Sequence, residues 1–333
     1  MIILNIGIIG SGTIAESFIA AVKLIRGAKT TAIYSRDKNS ERVKELMEKS
    51  GARLAYDSLD EMFGNNDIDF IYIASPNSLH YAQSLKALEA NKNVICEKPF
   101  TSTHKEAQHL LDVAKKKGLM IFEAIVTLHL PNFQIIKDNL YRLGQLRIVQ
   151  LNFSQYSKKY DMFLAGQAPN VFNPEFSGGC LQDINIYNVH FMISLFGMPD
   201  KYEYFPNIHE NGIDTSGIMI MQYAGFTAAL TGSKDTRCDN FVYIQGEKGF
   251  IHVKGSSSTC PEIIVDISGQ KPVTLNLQYE QSALYYELEV FKTIYDSKNF
   301  KRCYELARYS ADIVNFVESA RLKAGVCFAA DKA

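Results

Sequence analysis

Apolar residues follow two rhythms along this chain, and the rhythm changes near residue 126. In the first third, short and nearly continuous apolar runs alternate with helical patterns. The runs are IILNIGII (2–9), TTAIY (30–34), IDFIYIA (68–74), NVICE (93–97) and LMIFEAIV (119–126). Runs of that kind predict strands covered on both faces, as in a parallel sheet. Between them lie ESFIAAVKLI (16–25), ERVKELMEKSG (41–51), SLHYAQSLKALEANK (78–92) and THKEAQHLLDVAKKKG (103–118). The last opens with Thr103 and Glu106, a capping box, and closes with lysines before Gly118. Strands alternating with helices predict right-handed βαβ units and a doubly wound sheet.

Beyond residue 126 the runs alternate apolar and polar residues. LRIVQLNFSQYS (146–157), TSGIMIMQYA (215–224), FTAALTGS (226–233), NFVYIQG (240–246), FIHVKG (250–255), EIIVDI (262–267) and PVTLNLQY (272–279) predict an antiparallel sheet with one covered face. One helix is expected over roughly 179–195, and two more, over roughly 282–297 and 302–324, close the chain. The fold class is therefore α/β. A doubly wound parallel-sheet domain (1–125) precedes an α+β domain (126–333) with an open, mostly antiparallel sheet, and the final helices are free to pack back on the first domain. The second domain has too few helices to cover both faces of its sheet. Its apolar strands, such as SGIMIMQY (216–223), predict self-association as a homodimer or a dimer of dimers.

Charge narrows the partners. The 35 basic and 36 acidic side chains leave a formal net charge of −1, which gives no basis for nucleic acid or an anionic membrane as partner. No uncharged apolar run approaches the roughly 18 residues of a membrane helix, and the N-terminus lacks the basic start of a signal peptide. The six cysteines form no C-x-x-C pair and predict reduced thiols in a cytoplasmic protein. The seven histidines form neither H-x-x-x-H nor H-E-x-x-H, so no metal is expected.

Candidate chemistry begins where the first strand ends. GSGTIA places Gly10, Ser11, Gly12, Thr13 and Ile14 in a turn, with Ala15 completing G-x-G-x-x-A before a helix. Gly10 suits a tight turn, Gly12 a close backbone approach to a pyrophosphate, and Ala15 close helix–strand packing. The second strand ends AIYSRDKNS. Ser35, Arg36 and Lys38 stand where an acid would select NAD, so NADP(H) is favoured. Asp37, one residue away, keeps NAD(H) possible. NVICEKPF (93–100) ends a buried strand on Glu97 and Lys98, with Pro99 following. Either the chain simply reaches the surface there, or Lys98 is aimed into a cleft beyond the strand ends. Near residue 180, ideal helical spacing puts Asp183, Tyr187, His190 and Ser194 on one face. Leu181, Ile184, Val189, Met192, Leu195 and Phe196 take the other. The polar stripe reads as a catalytic relay or as a solvated face.

With these motifs, the sequence resembles the glucose–fructose oxidoreductase / inositol dehydrogenase / MocA (Gfo/Idh/MocA) family. The residues that carry the resemblance are Gly10-x-Gly12-x-x-Ala15, Ser75-Pro76-Asn77 with His80, Glu97-Lys98-Pro99, EAIVTLHLP and GGCLQDINIY. It covers essentially the whole chain, and the branch most similar is that of NADP-dependent dimeric dihydrodiol dehydrogenases. The resemblance implies a Rossmann domain and a substrate-binding and oligomerisation domain. It also implies hydride transfer between NAD(P) and a small molecule, at a carbinol or carbonyl carbon of a sugar, polyol, dicarbonyl or diol. Carried over, Lys98 lies beside nicotinamide and substrate, and Asp183 and Tyr187 match the family's D-x-x-x-[Y/H] pair. His190 is a further substrate contact, and Ser75, Pro76, Asn77, His80, Glu97 and Glu123 lie around the cofactor. Two other readings stand beside this one: an NAD-linked polyol dehydrogenase, and a dinucleotide-binding regulator without catalysis. Three departures bear on the substrate. Val126 and Leu128 stand where Trp and Arg are common, and Asn185 replaces a frequent glycine.

Overall fold

Six parallel strands and eight mostly antiparallel ones carry the two rhythms in the computed structural model, which describes residues 3–280 and 282–332. The run expected from residue 2 therefore begins outside the described residues. Two units emerge: Met1–Ala124 with Ser282–Val314, and Ile125–Gln281 with Asn315–Ala333.

The first unit runs β1 (Leu4–Ile9), α1 (Thr13–Leu24), β2 (Ala28–Tyr34), α2 (Glu41–Ser50), β3 (Leu54–Tyr56), α3 (Leu59–Gly64), β4 (Phe70–Ile73), α4 (His80–Glu89), β5 (Asn93–Glu97), α5 (His104–Lys117) and β6 (Ile121–Ala124). Its strand order is β3-β2-β1-β4-β5-β6, with every pair parallel. The order reverses between β1 and β4. In such sheets that crevice, beyond the carboxyl ends of the strands, is where dinucleotides bind. The capping box forms as expected: Thr103 accepts from the Glu106 amide, and the Glu106 carboxylate reaches back to the Thr103 amide. Two short elements, β3 and α3, carry too few residues for a period to register in the sequence.

The second unit runs α6 (Pro131–Asn139), β7 (Leu146–Ser154), α7 (Tyr160–Leu164), a π-helical turn (Leu181–Asn185) leading into α8 (Ile186–Phe196), and β8 (Lys201–Ile208). It continues through β9 (Asp214–Tyr223), β10 (Phe226–Ser233), β11 (Phe241–Gly246), β12 (Gly249–Lys254), β13 (Ile263–Ile267) and β14 (Val273–Leu275). The sheet order is β14-β13-β12-β11-β7-β10-β9-β8, antiparallel except for the parallel β10–β7 pair. Alternation sorts the side chains as predicted. Val149, Leu151, Met219, Met221, Ala228, Leu230, Val242 and Ile244 are buried on one face. On the other face Ile148, Phe205 and Ile218 remain 48%, 54% and 43% exposed.

Four sequence expectations are corrected. β8 has no counterpart among the expected strands because Pro206 interrupts its run; it lies at the sheet edge, where a missing N–H breaks no ladder. The run 272–279 yields only the three residues of β14, at the opposite edge. The strand expected over 119–126 ends at Ala124, and Val126–His129 turn as a 3₁₀ helix. α6, with Pro131 at its start and Phe133 and Ile136 buried, lies in a stretch where no helix was expected.

The chain closes with α9 (Ala283–Asp296) and α10 (Phe300–Lys323). α9 belongs to the first unit. Phe291 stacks on Phe122 of β6 at 4.5 Å, and Tyr295 meets Phe70 of β4 edge-on at 5.2 Å. The first part of α10 also lies there: Ala307, Ala311 and Val314 share a core with Leu110, Leu111 and Ala114 of α5. Among the described residues no helix is long and apolar enough to cross a membrane, and no cluster of potential metal ligands occurs.

Candidate active site

In the first unit, β1 delivers the glycine turn to the switch point. Gly10 has φ +117°, and a Cβ there would come within 2.5 Å of the Ala74 carbonyl oxygen, so both backbone angle and β4 demand glycine. Gly12 caps α1 with no side-chain hydrogen bond, and a Cβ on it would meet nothing within 4 Å. Gly12, Thr13 and Ile14 are exposed, while Ala15 is fully buried against the sheet. An uncapped helix N-terminus with open space in front of it fits a pyrophosphate. Arg42 of α2 supports the turn, donating to the Ser11 carbonyl at 3.0 Å and pairing with Glu16 of α1.

The end of β2 separates the two possible cofactors. The Asp37 carboxylate, the acid that keeps NAD(H) open, is exposed and accepts from the Asn39 amide at 3.0 Å through one of its oxygens. Lys38 pairs with Asp57 at 3.1 Å. Arg36 is exposed and has no side-chain partner among the described residues. A free guanidinium beside Ser35 fits a ribose 2′-phosphate by charge and by its forked donors.

The turn after β5 is supported from behind by buried polar side chains. Glu97 is buried and accepts a hydrogen bond from the Tyr72 hydroxyl of β4. Burial pushes its carboxyl up to about 7, against the pull of that hydrogen bond and of the Lys98 charge. Lys98 is half-buried, and the Lys98–Pro99 peptide is cis. Below the turn, Glu123 of β6 accepts from the Phe100 amide at 2.9 Å. The His80 ring lies 2.8 Å from the Pro99 carbonyl oxygen and 3.0 Å from that of Ser75. It therefore ties the Ser75-Pro76-Asn77 turn to the Glu97-Lys98-Pro99 turn. His80, Glu97 and Glu123 were expected at the cofactor. All three are buried, and their hydrogen bonds hold the two turns in place.

In the second unit, consecutive glycines let the chain pass through a tight space before α8. A Cβ on Gly178 would meet the Asn170 carbonyl oxygen at 2.7 Å, and one on Gly179 the Asp214 carboxylate at 2.1 Å. The π turn follows, with one extra residue per turn relative to an ideal helix, which shifts every side chain after it. Asp183 remains about a quarter exposed and pairs with Lys234 at 2.7 Å. Tyr187 is half-buried, its ring 5.8 Å from that of Phe153. His190 is fully buried, so the polar stripe expected from ideal spacing ends before it and His190 offers no surface to a substrate. The Asn185 departure has a structural partner. Its side chain donates to the Leu230 carbonyl at 3.1 Å, and Gly232 of β10 clears the room, since a Cβ there would lie 2.6 Å from that of Asn185.

Each unit thus gathers its own set: the glycine turn, the Arg36 turn and the Lys98 turn in the first, Asp183 and Tyr187 in the second. Arg42, Tyr72, Asp214 and Lys234 carry no sequence signal of their own. Each reads as an ordinary strand or surface residue, and only the packing reveals its partner.

A doubly wound 3-2-1-4-5-6 sheet with an open glycine turn, a lysine beyond β5 and an Asp–Tyr pair in a second unit define a nicotinamide-dependent oxidoreductase. The chain belongs to the GFO/IDH/MocA oxidoreductase family: residues 4–125 match its oxidoreductase model with an NAD-binding Rossmann fold, and residues 139–252 match its C-terminal domain. It is 33% identical over 331 residues to the scyllo-inositol 2-dehydrogenase (NADP(+)) IolU of Bacillus subtilis, covering 99% of this chain and 100% of that one. It is 28% identical over 255 residues, 74% of each chain, to the mouse trans-1,2-dihydrobenzene-1,2-diol dehydrogenase. Its fold is similar to that of KijD10, a 3-ketoreductase from Actinomadura kijaniata solved with NADP and TDP-benzene, at a TM-score of 0.83, 22% identity and 98% coverage of both chains. The protein is an NAD(P)-dependent oxidoreductase acting on CH–OH groups, with NADP(H) the favoured cofactor, and the non-catalytic regulator falls away.

Proposed function

We propose that the protein interconverts a secondary alcohol and its ketone on a polyol, sugar or diol, using NADP(H), with Lys98, Tyr187 and Asp183 as its acid–base set. The observation that carries this reading is the turn after β5. Glu97, Glu123 and His80 all lie buried behind it, which is far more support than a strand end at the surface needs. Bound nicotinamide supplies or accepts the hydride. The Lys98 ammonium stabilises negative charge on the substrate oxygen, and the Tyr187 phenol gives or takes its proton. Asp183 orients that pair. A polyol ranks first among substrates because the similarity to IolU spans both chains end to end. The test is a screen of scyllo-inositol, keto-sugars, aldoses, dicarbonyls and diols with both cofactors, following reduced-nicotinamide absorbance. Turnover of none of them would overturn the reading.

The NADP(H) preference rests on Arg36. Arg36→Ala should raise the KM for NADPH by about tenfold to a hundredfold, the worth of one charged hydrogen bond, and leave NADH nearly unchanged. Equal effects on the two cofactors would show that the guanidinium does not read the 2′-phosphate.

The uncovered face of the eight-stranded sheet carries Ile148, Phe205 and Ile218, and a second copy of this chain is its proposed partner. The three side chains stand on β7, β8 and β9, strands of eight to ten residues. Sedimentation at micromolar concentration should give a dimer or a dimer of dimers, and Ile218→Lys should shift it towards monomer. A monomeric native protein would contradict this. All six cysteines are free thiols, which supports a cytoplasmic place for the enzyme.

A further inference from the structure

We propose that Lys234 is a positioning residue for the reaction: its buried ammonium fixes the Asp183 carboxylate and, through it, the π turn that leads into Tyr187. The inference rests on the proposed role of Asp183. Lys234 follows β10, and its side chain is only 1% exposed. Its Nζ donates to Asp183 Oδ2 at 2.7 Å and to the Val171 carbonyl at 2.8 Å, and lies 4.5 Å from the centre of the Phe172 ring. The lysine backbone is pinned as well, its amide donating to the Thr215 carbonyl at 2.9 Å and its carbonyl accepting from the Ser157 amide at 2.9 Å. A long, flexible side chain is thus held from both ends.

The other acids nearby are already engaged. Asp214 accepts from the Leu181 amide at 2.7 Å and from the Tyr204 hydroxyl at 2.6 Å. Asp235 accepts from Ser216 at 3.0 Å and Ser233 at 2.8 Å. Asp183 is the carboxylate left within ion-pair distance of the ammonium. One acid and one base therefore hold the π turn at two points: Asp214 grips its first amide, and Lys234 grips its third side chain. The ammonium is dry and the carboxylate partly wet, which suits a group that must face a substrate while keeping a fixed orientation.

The test uses the full-length enzyme with whichever substrate passes the screen, rates being normalised to NADPH-binding sites. Lys234→Met should lower kcat by about tenfold to a hundredfold, the loss expected from one charged hydrogen bond or a misplaced acid–base group, with little change in the KM for NADPH. In an Asp183→Asn background the same substitution should add less than about threefold, because the two residues act as a unit. If Lys234→Met does not accumulate as folded protein, Lys234→Gln, which keeps a donor for Val171, should show the same kcat loss. A stability loss with unchanged kcat per binding site, or full and independent losses in the double variant, would overturn the proposal alone. Unchanged turnover in Asp183→Asn would overturn the role given to Asp183, and the proposal with it.

Discussion

Lys98→Met is expected to fold, to bind NADPH as the native enzyme does, and to turn over at least about a hundredfold more slowly. Methionine preserves the length and apolar stem of the side chain and removes only the charge. The groups proposed to bind the far end of the cofactor, the glycine turn and Arg36, lie in separate turns after β1 and β2 and remain intact. The framework behind the turn has hydrogen bonds of its own. Tyr72 holds Glu97, Glu123 holds the Phe100 amide, and His80 bridges Ser75 and Pro99. The loss should therefore fall on kcat, with the KM for NADPH nearly unchanged. The hundredfold figure is the order of magnitude lost when one preorganised donor to a developing oxyanion is removed. Fluorescence titration with NADPH beside steady-state kinetics separates the two effects. Near-normal turnover would mean that Glu97-Lys98-Pro99 does no more than end a strand.

How far the sequence foretells this arrangement depends on the range of the interactions involved. The glycine turn, the capping box on α5 and the strand ending at Glu97 are local, so their patterns are legible residue by residue. Helix α8 was legible as a helix but not in its phase. Ideal spacing put Asp183, Tyr187 and His190 on one face; the π turn at 181–185 shifts Asp183 relative to the residues after it, and His190, in the regular part of α8, is buried. β8 was hidden by Pro206, because a proline excludes only central strands and nothing local announces an edge. The supporting residues were not legible at all. Lys234 follows a strand as a surface lysine would, and Asp214 opens a strand as a turn residue would. Their meaning comes from Asp183, 51 positions before Lys234, and from the Leu181 amide, 33 positions before Asp214. Asn185 is a related case. A glycine expected on the helix is absent there, and a glycine on the facing strand, Gly232, supplies the space.

Tyr187→Phe is expected to cost a factor comparable to Lys98→Met, within the roughly hundredfold to ten-thousandfold range of a lost acid–base group. The substitution removes one oxygen. The ring keeps its contact with Phe153, and Asp183 keeps its pair with Lys234, so folding should be unaffected. Two further measurements distinguish a proton carrier from a packing residue. The native enzyme should show a solvent isotope effect on kcat that Tyr187→Phe alters, since the proton then takes another route. The Lys98→Met/Tyr187→Phe double variant should be far more active than the product of the two single losses implies. In the proposed mechanism the lysine and the tyrosine act on one oxygen, so once the proton has no carrier, stabilising the oxyanion gains little. Losses that multiply in full would mean that the lysine and the tyrosine act on separate steps, and the shared-oxygen mechanism would have to be abandoned even with both residues essential.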